Sequence, residues 1–335
     1  MKISIIIPVY NKQRYLNTVL RQLRDQSFRD YECILVDDGS ADASGAICDE
    51  AVAVDSRFRV IHLVNGGVSR ARNTGISMAR GEYVTFIDAD DELHPDYLSN
   101  LYRCMETHRA DLVIGGYEKF WDDSPERKQF AHPAGAGLYR KEELLPGFAR
   151  AQYDTGIYGY CWAKLIPAGL LQDVRFDESL RLAEDFDFYL RLYPRANRIY
   201  LDDKPYYHYR QEAENSSMLA PDDRIDYLSQ LKINLRYRDY LMGEKAFSGE
   251  NQSILESRIN HYLYFCLFHC PFGELSRRFD VLVGICGEYS LIPRGQGLMQ
   301  RLILGCLRKG WKNGVRFILG AYRSLRRVRN FIKGR

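Results

Sequence analysis

Positions 3 to 9 are apolar but for Ser4, and apolar residues then recur at three- and four-residue steps through Leu16, Val19, Leu20 and Leu23. The first run predicts a central strand buried on both faces, and the later spacing predicts an amphipathic helix packed on it. The pattern repeats. Strands are predicted at 32–36, 59–64 and 83–87, with one helix running from Asp42 or Ser44 to about residue 54 and another opened by Gly66-Gly67. Alternation of this kind predicts a parallel α/β sheet with right-handed crossovers. Past Pro95 a helix is expected to about residue 108, then one strand over 111–120 and a charged loop over 120–137 at the rim of the site. Over 222–240 and 254–268 the apolar spacing is helical. Three regions are expected: an α/β part (1–218), a helical part (219–293) and a tail (294–335).

In such sheets ligands bind beyond the carboxyl ends of the strands. Three polar clusters fall there: Pro8-Val9-Tyr10-Asn11, Asp37-Asp38-Gly39-Ser40 and Asp88-Ala89-Asp90-Asp91. Carboxylates crowded at the end of a buried strand repel one another and invite a hard divalent cation, Mg²⁺ or Mn²⁺. The plainer alternative is an acidic turn before the helix that follows. The position after the first strand reads Pro-Val-Tyr-Asn-Lys-Gln, not the glycine fingerprint of a dinucleotide site, and no Gly-x-x-x-x-Gly-Lys-Ser/Thr loop occurs. An aromatic for stacking, acids for base and ribose, Arg72 and a cation site together suit a nucleoside diphosphate.

Charge changes the picture at one end only. The net charge is +3, but twelve of the 47 Lys/Arg lie in 294–335, which has no Asp or Glu. The remainder carries 35 basic against 44 acidic residues, a net of −9. Within that tail Trp311, Val315, Ile318, Tyr322, Leu325, Val328 and Ile332 step along one face. A basic amphipathic helix of this kind reads as a peripheral membrane-surface anchor. A helix packed on the body with a solvated basic face is the alternative, and nucleic acid is disfavoured because no recognition module accompanies the charge. Residues 3–9 are too short a run for a signal peptide, and no stretch reaches transmembrane length. The eight cysteines form no Cys-x-x-Cys pair and fit a reducing cytoplasm. Cys266 and Cys270, near His261 and His269, sit in a helical pattern that favours buried thiols over a metal cluster.

The motifs then become specific. Ile-Ile-Pro-Val-Tyr-Asn at 6–11, Val-Asp-Asp-Gly-Ser at 36–40, Ser-Arg-Ala-Arg-Asn-Thr-Gly at 69–75 and Asp-Ala-Asp at 88–90, in that order, resemble the family 2 glycosyltransferases of GT-A fold. The resemblance implies a mostly parallel, Rossmann-like sheet flanked by helices and an inverting transfer from a nucleotide-sugar, most often a UDP-sugar. It implies that Pro8, Val9, Tyr10, Asn11 and Asp38 hold the nucleoside with Arg72 beside the base. Asp88 and Ala89 would meet the ribose or sugar, and Asp90 would bind Mn²⁺ or Mg²⁺ on the diphosphate. Tyr160-Cys161-Trp162-Ala163-Lys164-Leu165 resembles the family's segment beneath the acceptor, so Trp162 and Lys164 are candidate acceptor contacts, although Trp162 can equally be core.

Glu184-Asp185 matches the family's Glu-Asp pair, where a carboxylate accepts the proton of the acceptor hydroxyl; Asp185 is the expected base, with Glu184 orienting it or touching the acceptor and Asp187 a bystander. An acidic helix N-terminus is the alternative there. Residues 206–210 and 215–217 resemble a segment that closes over the donor, with His208 a candidate third metal ligand, or part of a structural strand, and Arg210 a candidate diphosphate contact. The resemblance ends near residue 218. It leaves the sugar, the glycan or lipid-linked acceptor and the oligomeric state open. A nucleotidyltransferase acting on sugar phosphates and a non-catalytic membrane-bound scaffold are the rival classes; the first lacks its glycine-rich phosphate loop, and the intact acids argue against the second.

Overall fold

A computed structural model, which describes residues 1–131, 135–211 and 226–333, begins with β1 (Ile3–Val9), α1 (Leu16–Arg24), β2 (Tyr31–Asp37), α2 (Ser44–Val54), β3 (Phe58–His62), α3 (Val68–Met78) and β4 (Tyr83–Phe86). The alternation expected from the pattern is present. Strand β1 lies between β2 and β4, parallel to both, with Ile6 opposite Ile34 on one side and Phe86 on the other. Buried Ser4 is satisfied rather than orphaned: its hydroxyl donates to Glu32 at 2.7 Å and accepts from the Gly81 N–H at 2.8 Å. Helix α3 approaches β1 closely at Gly75, where a Cβ would stand 2.3 Å from Ile6 Cγ2. That proximity brings the Arg72 side of the helix to the strand ends.

The chain continues through β5 (Glu92–Leu93), α4 (Tyr97–His108), β6 (Leu112–Ile114), β7 (Tyr117–Trp121), β8 (Ser124–Ala131), β9 (Gly137–Arg140), α5 (Lys141–Leu144), α6 (Phe148–Thr155), β10 (Lys164–Pro167), α7 (Glu184–Leu192), β11 (Arg198–Leu201) and β12 (Tyr207–Gln211). Eight strands form one mixed sheet in the order β3-β2-β1-β4-β10-β6-β11-β9, and four form a second in the order β5-β12-β7-β8. Two expectations are corrected. The single strand expected at 111–120 is two strands in different sheets, because Gly115-Gly116 lets the chain cross; a Cβ on Gly116 would lie 3.0 Å from Asp203 O. The loop expected at 120–137 contains β8, antiparallel to β7 at the edge of the small sheet. Its charged side chains hid it, and charge is what keeps an exposed edge from pairing with other chains.

Two compact units divide the chain: Met1–Ala220 with Tyr240–Asn251, and Pro221–Asp239 with Gln252–Arg335. The return of 240–251 to the first unit has a visible cause. Buried Asn251 accepts from the Ala149 N–H at 2.9 Å and donates to Leu145 O at 2.7 Å, and Tyr240 packs on Phe148. The second unit is helical, drawing on α8 (Tyr227–Gly243), α9 (Gly249–Phe268), α10 (Leu275–Glu288), α11 (Leu298–Arg308) and α12 (Lys312–Lys333). Its core joins Leu231, Leu263, Leu267, Phe279, Leu304 and Leu319, with Cys266 and Cys270 among the buried residues. Thus the stretch from 294 onward does not stand apart from 219–293. In the apolar stripe expected along α12, Val315 is fully buried and Ile318 and Tyr322 face protein, Tyr322 against Phe268. Leu325 of that stripe is 70% exposed, and Phe317, outside it, 77%. No helix among the described residues is long and apolar enough to cross a membrane.

Candidate active site

Three loops at the carboxyl ends of β1, β2 and β3 are fastened to one another. The Asp38 N–H donates to Val9 O at 2.8 Å, and the Asp38 carboxylate accepts from the N–H groups of Gly66 and Gly67 at 2.8 and 2.7 Å. Asp38 is thereby occupied in positioning the turn before α3. Gly39 allows the approach: its φ is +71°, and a Cβ there would stand 2.8 Å from Asn65 N. Asn11, at φ 52°, takes the left-handed conformation that Asn tolerates. Its side chain accepts from the Ala41 N–H at 2.8 Å and its own N–H donates to Ser40 Oγ at 3.1 Å. Asn11 braces the site. Pro8, Val9 and Tyr10 line a cleft of about 570 Å³, together with Asp38, Arg72, Asp88, Ala89, Asp90 and Glu184. The Tyr10 ring is 49% exposed and available for stacking.

Arg72 joins the two acidic centres. Only 5% exposed, it donates from Nη1 to Glu184 Oε1 at 2.9 Å and from Nη2 to Asp88 Oδ1 at 3.3 Å. Its buried Nε has no partner among the described residues, and its guanidinium lies 5.4 Å from the Phe176 ring centre. Burial raises the Asp88 pKa, as does Asp90, against the opposing charges of Arg72 and Lys12. Asp91 points away into protein: Tyr207 Oη donates to it at 2.6 Å and the Arg210 N–H at 2.9 Å, while burial and then Asp90 push its pKa well up. Asp90 lines the cleft, and its carboxylate is paired with the Lys12 ammonium.

The acidic pair on α7 follows Ala183, which takes φ 60°. Glu184 lines the cleft and Asp185 stands beside it in the first helical turn. Burial, then Glu184, pushes the Asp185 carboxyl up to about 7, opposed by Arg72, by the Phe186 N–H at 2.7 Å and by Lys164. Asp187 is fully buried and pairs with Arg191 at 2.7 Å, away from the cleft lining.

Three candidates lie off the cleft lining, and a fourth is held by other partners. Trp162, 3% exposed, stacks between Tyr160 and Tyr207 at ring separations of 4.4 and 4.6 Å, so it is core. Lys164 is buried in the middle of the large sheet, donates to Tyr160 O and sits 4.6 Å from the Tyr189 ring centre; burial lowers its pKa to about 7. His208 lies opposite Glu92 in β12, among Glu118, Lys128 and His94, and does not line the cleft; burial lowers its pKa. Arg210 lines the cleft but is already committed to Asp90 O at 2.7 Å, to Glu92 and Asp122, and to the rings of Tyr15 and Phe120. The 215–217 segment lies outside the described residues. Lys12 and Asn65, neither singled out in the sequence, supply further parts of the site, as does Tyr209 of the 206–210 segment. No local pattern marks the first two, because their relevance comes from loops meeting in space.

For a divalent cation the donor set fits one mode. No cluster of three or more His, Cys, Asp or Glu among the described residues is arranged to hold a metal. Asp90, with Asp88 near it, offers the one or two carboxylates with which Mg²⁺ or Mn²⁺ binds when substrate phosphates complete the shell. The Asp90 carboxylate already attracts a cation from this chain, the Lys12 ammonium.

Comparisons with known proteins bear on the family and the fold. Residues 4–165 match the family model "Glycosyl transferase family 2". The uncharacterized glycosyltransferase EpsJ of Bacillus subtilis is 34% identical over 239 residues, 69% of this chain and 68% of that protein. Glycosyltransferase GlyA of Streptococcus pneumoniae is 35% identical over 214 residues, 62% of this chain, and the match spans only 30% of GlyA's length. Crystal structures of residues 1–349 of TarS from Staphylococcus aureus, solved with UDP and with UDP-GlcNAc, share the fold at TM-scores of 0.64 and 0.61. They are 22% and 21% identical in sequence, and each alignment covers 97% of this chain and 92% of the TarS chain. The chain belongs to glycosyl transferase family 2 and carries its GT-A fold.

Proposed function

We propose that this protein transfers a sugar, with inversion, from a UDP-sugar to a hydroxyl of a glycan acceptor. One observation carries the reading: Arg72 ties Asp88 of the donor cleft to Glu184, which precedes Asp185. Donor-side acids and a proton-accepting carboxylate are thereby held by one buried cation. In this scheme Tyr10 stacks on the base, and Asp88 accepts hydrogen bonds from ribose or sugar hydroxyls. Asp185 takes the proton of the acceptor hydroxyl as oxygen attacks the anomeric carbon, and Glu184, held by Arg72, keeps it in place. Asp90 would hold Mn²⁺ or Mg²⁺, whose charge offsets that gathering on the departing diphosphate.

UDP as the nucleotide is supported by the TarS complexes. A lipid-linked acceptor, used in surface polysaccharide or lipooligosaccharide assembly at the inner face of the cell membrane, is supported by the exposed Phe317 and Leu325 beside Arg316 on α12. The deciding experiment is calorimetric titration with UDP, GDP, CMP and their sugar conjugates, in Mn²⁺ and then in EDTA. UDP-sugar binding that EDTA abolishes is expected. Binding of no nucleotide would replace the transferase reading with that of a scaffold.

A further inference from the structure

Two carboxylates at the donor cleft are each held by a cation from a different direction. Arg72, buried and bonded also to Glu184, approaches Asp88. Lys12 approaches Asp90, and it differs from Arg72 in its exposure. Its side chain lies at the cleft surface, one-third exposed, against a carboxylate about one-quarter exposed. Its backbone, by contrast, is fixed: the Lys12 N–H donates to Ser44 Oγ at 2.8 Å, and preceding Asn11 is bonded to Ser40 and Ala41. A compact ammonium on a flexible four-carbon stem is thus anchored at its base and paired with Asp90 at its tip.

A divalent cation and an ammonium cannot share one carboxylate without strong repulsion at contact distance. A donor arriving with its cation at Asp90 would therefore displace Lys12, and the anionic diphosphate is the nearest place for the displaced charge. Arg210 cannot take that part, since its guanidinium is held by Asp90 O, Glu92 and Asp122 and packed between two rings. We propose that Lys12 is a donor-binding residue that occupies Asp90 when the cleft is empty and transfers to the diphosphate when the cation and nucleotide bind. This rests on the nucleotide-sugar reading of the same cleft.

The test compares wild type with Lys12→Met and Lys12→Arg by calorimetry, using Mn²⁺ alone and UDP in saturating Mn²⁺, with near-UV circular dichroism as the control for folding. Lys12→Met should bind Mn²⁺ alone several-fold more tightly, because Asp90 loses its competitor. It should bind UDP in Mn²⁺ about tenfold more weakly, the size expected for losing one charge-assisted contact. Lys12→Arg, which keeps the charge, should hold UDP close to the wild-type affinity. Unchanged UDP affinity in Lys12→Met, or Mn²⁺ binding that fails to tighten, overturns the proposal while wild-type UDP binding leaves the donor reading standing. Wild type that binds no UDP overturns both, and the Mn²⁺ titration then shows separately whether Lys12 competes for Asp90.

Discussion

A sugar hydroxyl is a poor nucleophile, and a carboxylate that ionises near neutrality is well matched to removing its proton. Asp185 meets that condition because burial and the neighbouring Glu184 carboxylate both oppose its charge, pushing its pKa up to about 7. Only the ionised form accepts a proton, so the turnover rate should rise with pH through about 7 and level off above. Glu184→Gln removes a negative neighbour and should move that limb to lower pH; a limb left in place would show that Glu184 does not set it. Asp185→Asn should reduce turnover by roughly 10²- to 10⁴-fold with UDP affinity little changed. An active Asp185→Asn protein would remove Asp185 from the base role. Both acids were legible from their motif; Lys12 was not, since a lysine after a strand is ordinary until Asp90 is found beside it.

At the level of elements, Trp162 and Lys164 show why a motif can point to the right segment and still leave a side chain's role undecided. Trp162 pairs through its backbone with Phe86 of β4 and stacks its ring on Tyr207 of β12, so the residue links the two sheets. Trp162→Ala should cost about 3–5 kcal/mol of stability, the usual penalty for emptying a packed aromatic site, measured by denaturant unfolding. The smaller loss in Trp162→Phe should leave acceptor KM unchanged once the protein is folded. A raised acceptor KM in a stable Trp162→Phe protein would return the ring to the acceptor site. Strand β8 and the break at Gly115-Gly116 were hidden for different reasons. Exposed charge masked the first, and the second depends on a close approach to Asp203 that lies far away in sequence.

On the scale of the whole molecule, the expected basic, amphipathic tail is in part a core element. Ile303, Leu304, Val315 and Leu319 complete the helical unit, whose cluster would otherwise expose apolar surface. What α11 and α12 leave outward includes Leu298, Phe317 and Leu325, with Arg301, Arg308 and Arg316 also exposed. In the proposed membrane docking this surface would meet an anionic lipid headgroup layer, to which each basic residue contributes on the order of 1 kcal/mol. Sedimentation with vesicles containing phosphatidylglycerol should carry the protein down at low salt. Phe317→Glu with Leu325→Glu should release it, without unfolding, because neither side chain is packed inside. Equal sedimentation of the double variant would dismiss this face as the anchor.

Periodicity alone determined the repeating strands and helices of the first ninety residues, because burial on a sheet leaves its mark at two- and three-to-four-residue spacing. The place of a cleft at the strand ends was legible too, because open sheets of this kind bind ligands there. The tertiary structure alone decided which acids face the cleft and which brace it. Asp90 and Asp91 are adjacent in sequence, yet one lines the donor pocket with Lys12 and the other is buried under Tyr207 and Arg210. The same is true of Arg72, whose partners Asp88 and Glu184 lie 16 and 112 residues away. Charge pairing across such separations depends on where the loops meet, and no local pattern in the chain records that.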